Sequence, residues 1–326
     1  MPRHRRSGEP DVTAGLVRAL LASQHPDLAA LPIGGDVDPA PGGGVVRGWD
    51  NTMVRLGEDL AVRLPRHDAG QALLDREVAW LPRVAEQTGL RLPRPERTGA
   101  PAAGYPYRWA VVPWVAGTPA ARRPAGARDA YAAALAGWLR RLHVPAPPDA
   151  PDNPFRGVPL AAAADRFDAR WRALRPHCPE TLVRAVDAAW QEAQAAGDHT
   201  GPPVWLHGDP HPDNTVLAED STGTPLESPE PVLVDFGDLC AGDPASDLGI
   251  VLTHFTPAGA AAFRARYEAG RAPDDDLWRR ATGWSLAVAT VFAAQPPEDV
   301  LHAIGWGYLR QWGPRTGLSP AAGSAG

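Results

Sequence analysis

Two short acidic clusters each follow an apolar run. His207-Gly208-Asp209-Pro210-His211-Pro212-Asp213-Asn214 comes after Val204-Trp205-Leu206, and Asp235-Phe236-Gly237-Asp238 comes after Val232-Leu233-Val234. Carboxylate and amide oxygens are hard donors suited to magnesium, which binds through one or two carboxylates plus the phosphates of a substrate. An aspartate, an asparagine five positions later and a further Asp-Phe-Gly form the order in which phosphoryl-transfer sites set a base and two metal ligands. Two strands ending side by side would deliver Asp209, Asn214 and Asp235 to one edge. The chemistry indicated is phosphoryl transfer.

The elements that must position these residues can be read from hydrophobic period. Leu16, Val17, Leu20 and Leu21 form a helical stripe, with Asp11 or Thr13 as cap. Residues 32–48 are too rich in Gly and Pro for a helix. Leu60, Val62 and Leu64 alternate with Ala61 and Arg63, which predicts a strand with one apolar face and Arg63 on the other. A helix is expected over 71–87, with Leu73, Leu74, Val78 and Leu81 on one side, Glu77 elsewhere on its surface and Pro82 as a kink or break. Trp109 to Val115 reads as a buried strand running into a connector. Tyr131, Leu135, Trp138, Leu139 and Leu142 mark one amphipathic helix, and Leu182, Val183, Val186, Trp190 and Ala193 another. Val144 to Pro154 reads as a loop and Ala218 to Pro231 as an exposed turn. Helices resume over 258–269 and 275–294. Strands with one helix come first, then mostly helices interrupted by a strand pair. That order predicts an α+β, two-lobed fold: a small β-rich lobe over 1–114 and a larger, mostly helical lobe over 115–326. Residues 1–10 and 313–326 are expected to be disordered.

Composition narrows the partners. The 326 residues carry a net charge of −6, which argues against a nucleic-acid partner, normally announced by a basic patch. No stretch approaches a membrane span, and the basic first ten residues precede no unbroken apolar segment, so a cytoplasmic protein is expected. Cys178 and Cys240 are too few and too far apart for a disulfide framework or a thiolate zinc site, and Cys240 reads as a small core residue. All 32 basic residues are arginine. Any phosphate-gripping role must therefore fall to a planar guanidinium rather than to an ammonium point charge.

The motifs together resemble the aminoglycoside phosphotransferase and choline-kinase-like family, small-molecule kinases with the protein-kinase fold. His207 to Asn214 matches the family's His-Gly-Asp-x-x-x-x-Asn without departure, Asp235 follows a hydrophobic strand, and Asp243, Pro244 and Asp247 match a downstream Asp-Pro-x-x-Asp. Gly48-Trp49-Asp50-Asn51, Arg63-Leu64-Pro65-Arg66 and Arg76-Glu77 extend the likeness over roughly 45–310. The resemblance implies Asp209 as the base that orients and deprotonates a hydroxyl, with Asn214 and Asp235 holding Mg2+ against ATP or GTP. It places Arg63 where many kinases have lysine on the third strand, with Glu77 as its partner. It assigns Val112, Pro113, Trp114 and Val115 to the purine connector and Gly48 to Asn51 to a phosphate-covering turn, although no GxGxxG is present. His207 and Asp247 become structural supports. The implied partners are a nucleoside triphosphate and a small hydroxyl-bearing acceptor, with aminoglycosides and other antibiotics within the class.

Rival readings are a metal-dependent hydrolase built on His207, Asp209 and His211, a protein kinase, and a nucleotide-binding pseudoenzyme. Pro210 and Pro212 interrupt the first, and no second histidine cluster exists. Asp243 follows Asp235 too closely to leave room for a protein kinase's activation segment. Intact Asp209, Asn214 and Asp235 weigh against the third. For single residues the bland alternatives are a surface arginine at 63 and a solvated Glu77.

Overall fold

Alternating apolar residues build the first half of the molecule, and helical stripes build the second. The computed structural model describes residues 9–34, 44–218 and 230–313. The expected disordered ends and the turn over 218–231 lie, but for their edges, outside the described residues. The chain divides into two compact units. The first runs to Gly117 and takes back Val232–Leu239; the second comprises Thr118–Pro231 and the chain from Cys240 onward.

In the first unit α1 (Ala14–Gln24) starts at Thr13, whose Oγ1 accepts the Leu16 amide at 3.1 Å. The strands β1 (Val45–Arg47), β2 (Asn51–Leu56) and β3 (Leu60–Pro65) follow, then α2 (Asp68–Thr88), β4 (Arg97–Gly99) and β5 (Trp109–Pro113). They form one antiparallel sheet in the order β1-β2-β3-β5-β4. One face packs Val54, Leu56, Val62, Leu64, Trp109 and Val111 with the buried residues of α1; on the other, Ala61, Ala110 and Val112 meet Leu74 of α2. β3 is therefore buried on both faces, not on one as its alternation suggested. Arg63 is only 6% exposed, because α2 covers the face that carries it, and the bland alternative of a surface arginine does not hold.

Pro82 sits inside α2 without ending it. The buried stripe of α2 is Gly70, Leu74, Glu77, Leu81 and Val84, so Glu77 belongs to the inward face and not to a separate surface. Gly70 is required there: a Cβ at that position would stand 2.5 Å from the Asp50 carbonyl.

The second unit opens with β6 (Thr118–Pro119), α3 (Ala125–Arg128), α4 (Ala132–Leu142), α5 (Ala164–Leu174) and α6 (Glu180–Gln194). Next come β7 (Val204–Leu206), β8 (Thr215–Leu217), β9 (Pro231–Leu233), which leads into the segment claimed by the first unit, and β10 (Cys240–Gly242). The helices α7 (Ala245–Leu252), α8 (Pro257–Glu268), α9 (Asp275–Ala293) and α10 (Val300–Arg310) close it. α4 buries Leu135, Leu139 and Leu142, α5 buries Phe167, Trp171 and Leu174, and Phe167 stacks on Trp190 of α6. α7 and α9 are buried nearly all round, as helices at the centre of a core must be. β7 takes β10 as its antiparallel partner, with Cys240 opposite Leu206. The run before Asp235 is thus not the hydrogen-bonded neighbour of β7 that the two apolar runs suggested. Cys240 is buried, and neither cysteine forms a disulfide. No described helix is long and apolar enough to cross a membrane.

Candidate active site

β7 carries the chain inward through Trp205 and Leu206 and releases it at His207-Gly208-Asp209, where Gly208 adopts φ +87°. The turn is held from outside. Asp247, in the first turn of α7 and fully buried, accepts the His207 amide on Oδ2 (2.8 Å) and the Gly208 amide on Oδ1 (2.9 Å). His143 Nε2 lies 3.3 Å from the same Oδ2, and its Nδ1 meets the Tyr267 hydroxyl at 2.8 Å. A second brace comes from His254, whose Nε2 bonds the Pro210 carbonyl (2.8 Å) while Nδ1 meets the Tyr131 hydroxyl (2.8 Å). Burial, then the charge of Arg128, hold His254 well below the usual imidazole range, so it braces the loop as a neutral ring.

Both oxygens of Asp209 are engaged. Arg156 donates Nε to the Gly208 carbonyl (2.5 Å) and Nη2 to Asp209 Oδ1 (3.3 Å). His211 Nδ1 accepts the amides of Asp213 (3.1 Å) and Asn214 (3.2 Å), which puts its proton on Nε2, 3.4 Å from Asp209 Oδ2. Burial alone would raise the Asp209 carboxyl, but His211, Arg156 and His207 outweigh it and hold the group below its ordinary value. Asn214 donates Nδ2 to the Asp209 carbonyl at 3.1 Å, so its Oδ1 is the end left for a cation. His207, Asp209, Asn214 and Asp247 are thus brought together in the second unit. His207 Nδ1 accepts the Asp209 amide (3.2 Å), a structural use, as its burial implies.

The first unit gathers Asn51, Arg63, Glu77 and Asp235. Arg63 Nη1 pairs with Glu77 Oε2 at 2.5 Å and Nη2 with Asp235 Oδ1 at 3.3 Å. With the Asn51 amide turned oxygen-inward, Oδ1 accepts from Arg63 Nη2 (3.0 Å) and Nε (3.2 Å). Burial opposes the guanidinium charge, yet Glu77 and Asp235 more than restore it, and Arg63 is held above its ordinary value. Burial and the nearby Asp235 push Glu77 up against the pull of Arg63. Asp235 adopts a positive φ, +63°, as only Ala103 (+51°) also does among the described non-glycine residues. Such backbone is costly for a side-chain-bearing residue and clusters at functional sites.

The Gly48–Asn51 turn closes the β1–β2 hairpin through Gly48 N to Asn51 O (2.9 Å). Arg66 fastens it, donating its amide to the Asp50 carbonyl (2.8 Å) and Nη1 to the Gly48 carbonyl, while its guanidinium also pairs with Glu9 (2.7 Å). Asp50 is raised by burial, then by Asp235 and Asp238, with His67 and Arg63 pulling the other way. In the connector, Val112 faces Ala61 across the β3–β5 ladder and Trp114 N donates to the Asp59 carbonyl at 2.7 Å. Pro113 has no N–H.

Sequence reasoning missed Arg156 as a neighbour of Asp209 and gave His211 no role except as a possible hydrolase ligand. Arg156 lies 53 positions from Asp209 in a proline-rich loop, one arginine among 32, and carried no distinguishing signal. Among the described residues no three His, Cys, Asp or Glu side chains form a metal-holding group, and the alternating His-x-Asp-x-His-x-Asp run turns both imidazole Nδ1 atoms to backbone amides.

The profile of a family described as the phosphotransferase enzyme family matches residues 44–284. Among solved structures, the GDP and kanamycin complex of APH(2")-IIia is similar at 18% identity and a TM-score of 0.59, over 91% of this chain and 97% of that one. The apoenzyme of macrolide 2'-phosphotransferase MphH from Brachybacterium faecium is similar at 18% identity and a TM-score of 0.54, over 91% and 94%. ADP-bound aminoglycoside phosphotransferase APH(2'')-Ib gives 14% identity and a TM-score of 0.50, over 92% and 98%. No curated protein sequence matches the chain.

Proposed function

The chain belongs to the phosphotransferase enzyme family and has a two-lobed, protein-kinase-like fold, and from that premise we propose that it transfers the γ-phosphoryl group of ATP or GTP to a hydroxyl of a small acceptor. In the proposed reaction the acceptor oxygen bonds to the γ-phosphorus as the bond to the β–γ bridging oxygen breaks. The hydroxyl proton passes to Asp209, and a nucleoside diphosphate leaves. Asn214 and Asp235 are the proposed holders of magnesium, the first through an amide oxygen fixed in orientation, the second through a carboxylate 46% exposed. The ion supplies neutralisation of phosphate charge. Arg63, anchored by Glu77, is the proposed phosphate-side cation. The Gly48–Asn51 turn and Val112, Pro113, Trp114 and Val115 are the proposed covering turn and purine connector.

The observation that carries the reading is the state of Asp209. It is ionised, held at both oxygens, and mounted on a loop that Asp247 clamps by two backbone amides. An unprotonated, fixed carboxylate is positioned to accept the hydroxyl proton, and a general base contributes typically ~10²–10⁴-fold. Asp209→Asn is expected to leave nucleotide affinity near that of the parent while kcat falls by about that factor. Steady-state turnover beside nucleotide titration measures both, and full activity in the variant would remove Asp209 from the chemistry.

A further inference from the structure

The surroundings of Asp209 in the second unit are one-sidedly cationic, and this bears on the acceptor. The loop that brings Arg156 to Asp209 is fixed in place. Buried Asn153 accepts the Phe155 amide on Oδ1 (2.9 Å). Gly157, at φ +69°, is packed so tightly that a Cβ would stand 2.7 Å from Leu206 and 3.0 Å from the Gly242 Cα. Between these anchors Phe155 is 53% exposed, and its ring lies under the Arg166 guanidinium at 5.0 Å. One turn further along α5, Arg170 donates Nη1 to the Arg166 carbonyl (3.3 Å).

Arg156 faces Asp209, Arg166 lies over Phe155 of the same loop, and Arg170 stands within reach of the charges of both arginines. Arg166 and Arg170 have no ion-pair partner among the described residues, although exposed Asp165 and Asp168 lie on the same helix. Burial, then Arg166 and Arg156, pull the Arg170 guanidinium below its ordinary value, and no carboxylate offsets them. Like charges one helical turn apart also cost helix stability. Half-buried cations in this condition are stabilised by an anion from outside.

We propose that the acceptor carries an anionic group, a carboxylate, sulfate or phosphate ester, held by Arg156, Arg166 and Arg170 while its hydroxyl meets Asp209 and its apolar body lies along Phe155. The assignment rests on Asp209 being the base. A polyamine acceptor would meet like charge at this wall.

The test is calorimetric titration of the full chain with sodium sulfate, against sodium chloride at equal ionic strength, with and without magnesium and ADP. The parent is expected to bind sulfate whether or not nucleotide is present, and Arg166→Ala/Arg170→Ala, checked for its fold by circular dichroism, at least about tenfold more weakly. No sulfate binding, equal binding by the variant, or binding abolished by ADP would overturn the proposal, the last by assigning the patch to the nucleotide. Turnover on glucose, gluconate, glucose 6-phosphate and kanamycin gives a second arm. There an acid-bearing sugar should exceed glucose about tenfold in kcat/KM, whereas kanamycin equal to or better than the acids would overturn it. Sulfate binding is read without turnover, so a failure of the Asp209 reading and a failure of the anion site are distinguishable.

Discussion

Asp235 holds three opposed demands in one residue. Its φ of +63° is costly, its charge raises both Asp50 and Glu77, and its carboxylate shares Arg63 with Glu77 and Asn51. Removing the charge while keeping the shape should therefore relieve the fold. Asn tolerates left-handed backbone, and Arg63 retains two other acceptors. Asp235→Asn is expected to unfold at the same or a higher temperature than the parent, yet to lose magnesium-dependent turnover by at least about a hundredfold if a ligating oxygen is lost. Thermal unfolding and turnover across a magnesium titration check the two halves together. A variant that loses stability along with activity would show Asp235 to be a structural residue.

Between the residue and the whole molecule stands α7, which links the loop carrying Asp209 to the core. Its first turn supplies Asp247, and the chain just beyond its last turn supplies His254, so both braces of the loop come from one buried element. The neutral state of His254 has a pH consequence. Its folded value is depressed below the ordinary 6.5, so the unfolded chain binds the proton more readily. The stability this group contributes is present above 6.5 and is lost as pH falls from there through the folded value, at no more than about 1.4 kcal/mol per pH unit. Melting temperatures from pH 7.5 to 5.5 should fall more steeply for the parent than for His254→Gln, and parallel curves would remove the ring from the pH response. The importance of α7 was not legible beforehand. Ala245-Ser246-Asp247-Leu248-Gly249-Ile250-Val251-Leu252 is buried around its circumference and so has no helical period to read. α10 was obscured by Gly305 and Gly307, and α5 by the charged residues between Phe167, Trp171 and Leu174. What was legible had one wet face, as in the Leu135-Leu139-Leu142 stripe of α4, or local spacing, as in His207 to Asn214. Partners fixed by tertiary contact were not: β10 for β7, Arg156 for Asp209, and the inward turn of Glu77.

At the scale of the whole chain the missing residue type is as informative as those present. With 32 arginines and no lysine, the only unmodified amine is the α-amino group. The proposal puts Arg63 at the nucleotide phosphates, in the place many kinases give to lysine, and the composition makes that placement testable without any activity measurement. An acyl-phosphate derivative of ATP transfers its acyl group to an amine lying beside the phosphates, whereas a guanidinium stays protonated and does not accept it. The parent chain should therefore bind the probe reversibly and remain unlabelled outside its N-terminus. Arg63→Lys keeps a positive charge beside Glu77, so the buried carboxylate is not left uncompensated, although the fork that also reaches Asp235 and Asn51 is lost. That variant should acquire a label at position 63, located by peptide mass spectrometry, which excess ATP competes away. A folded, ATP-binding variant that stays unlabelled there would show that the third-strand arginine is a strut for Glu77 and Asp235 and does not face the phosphates.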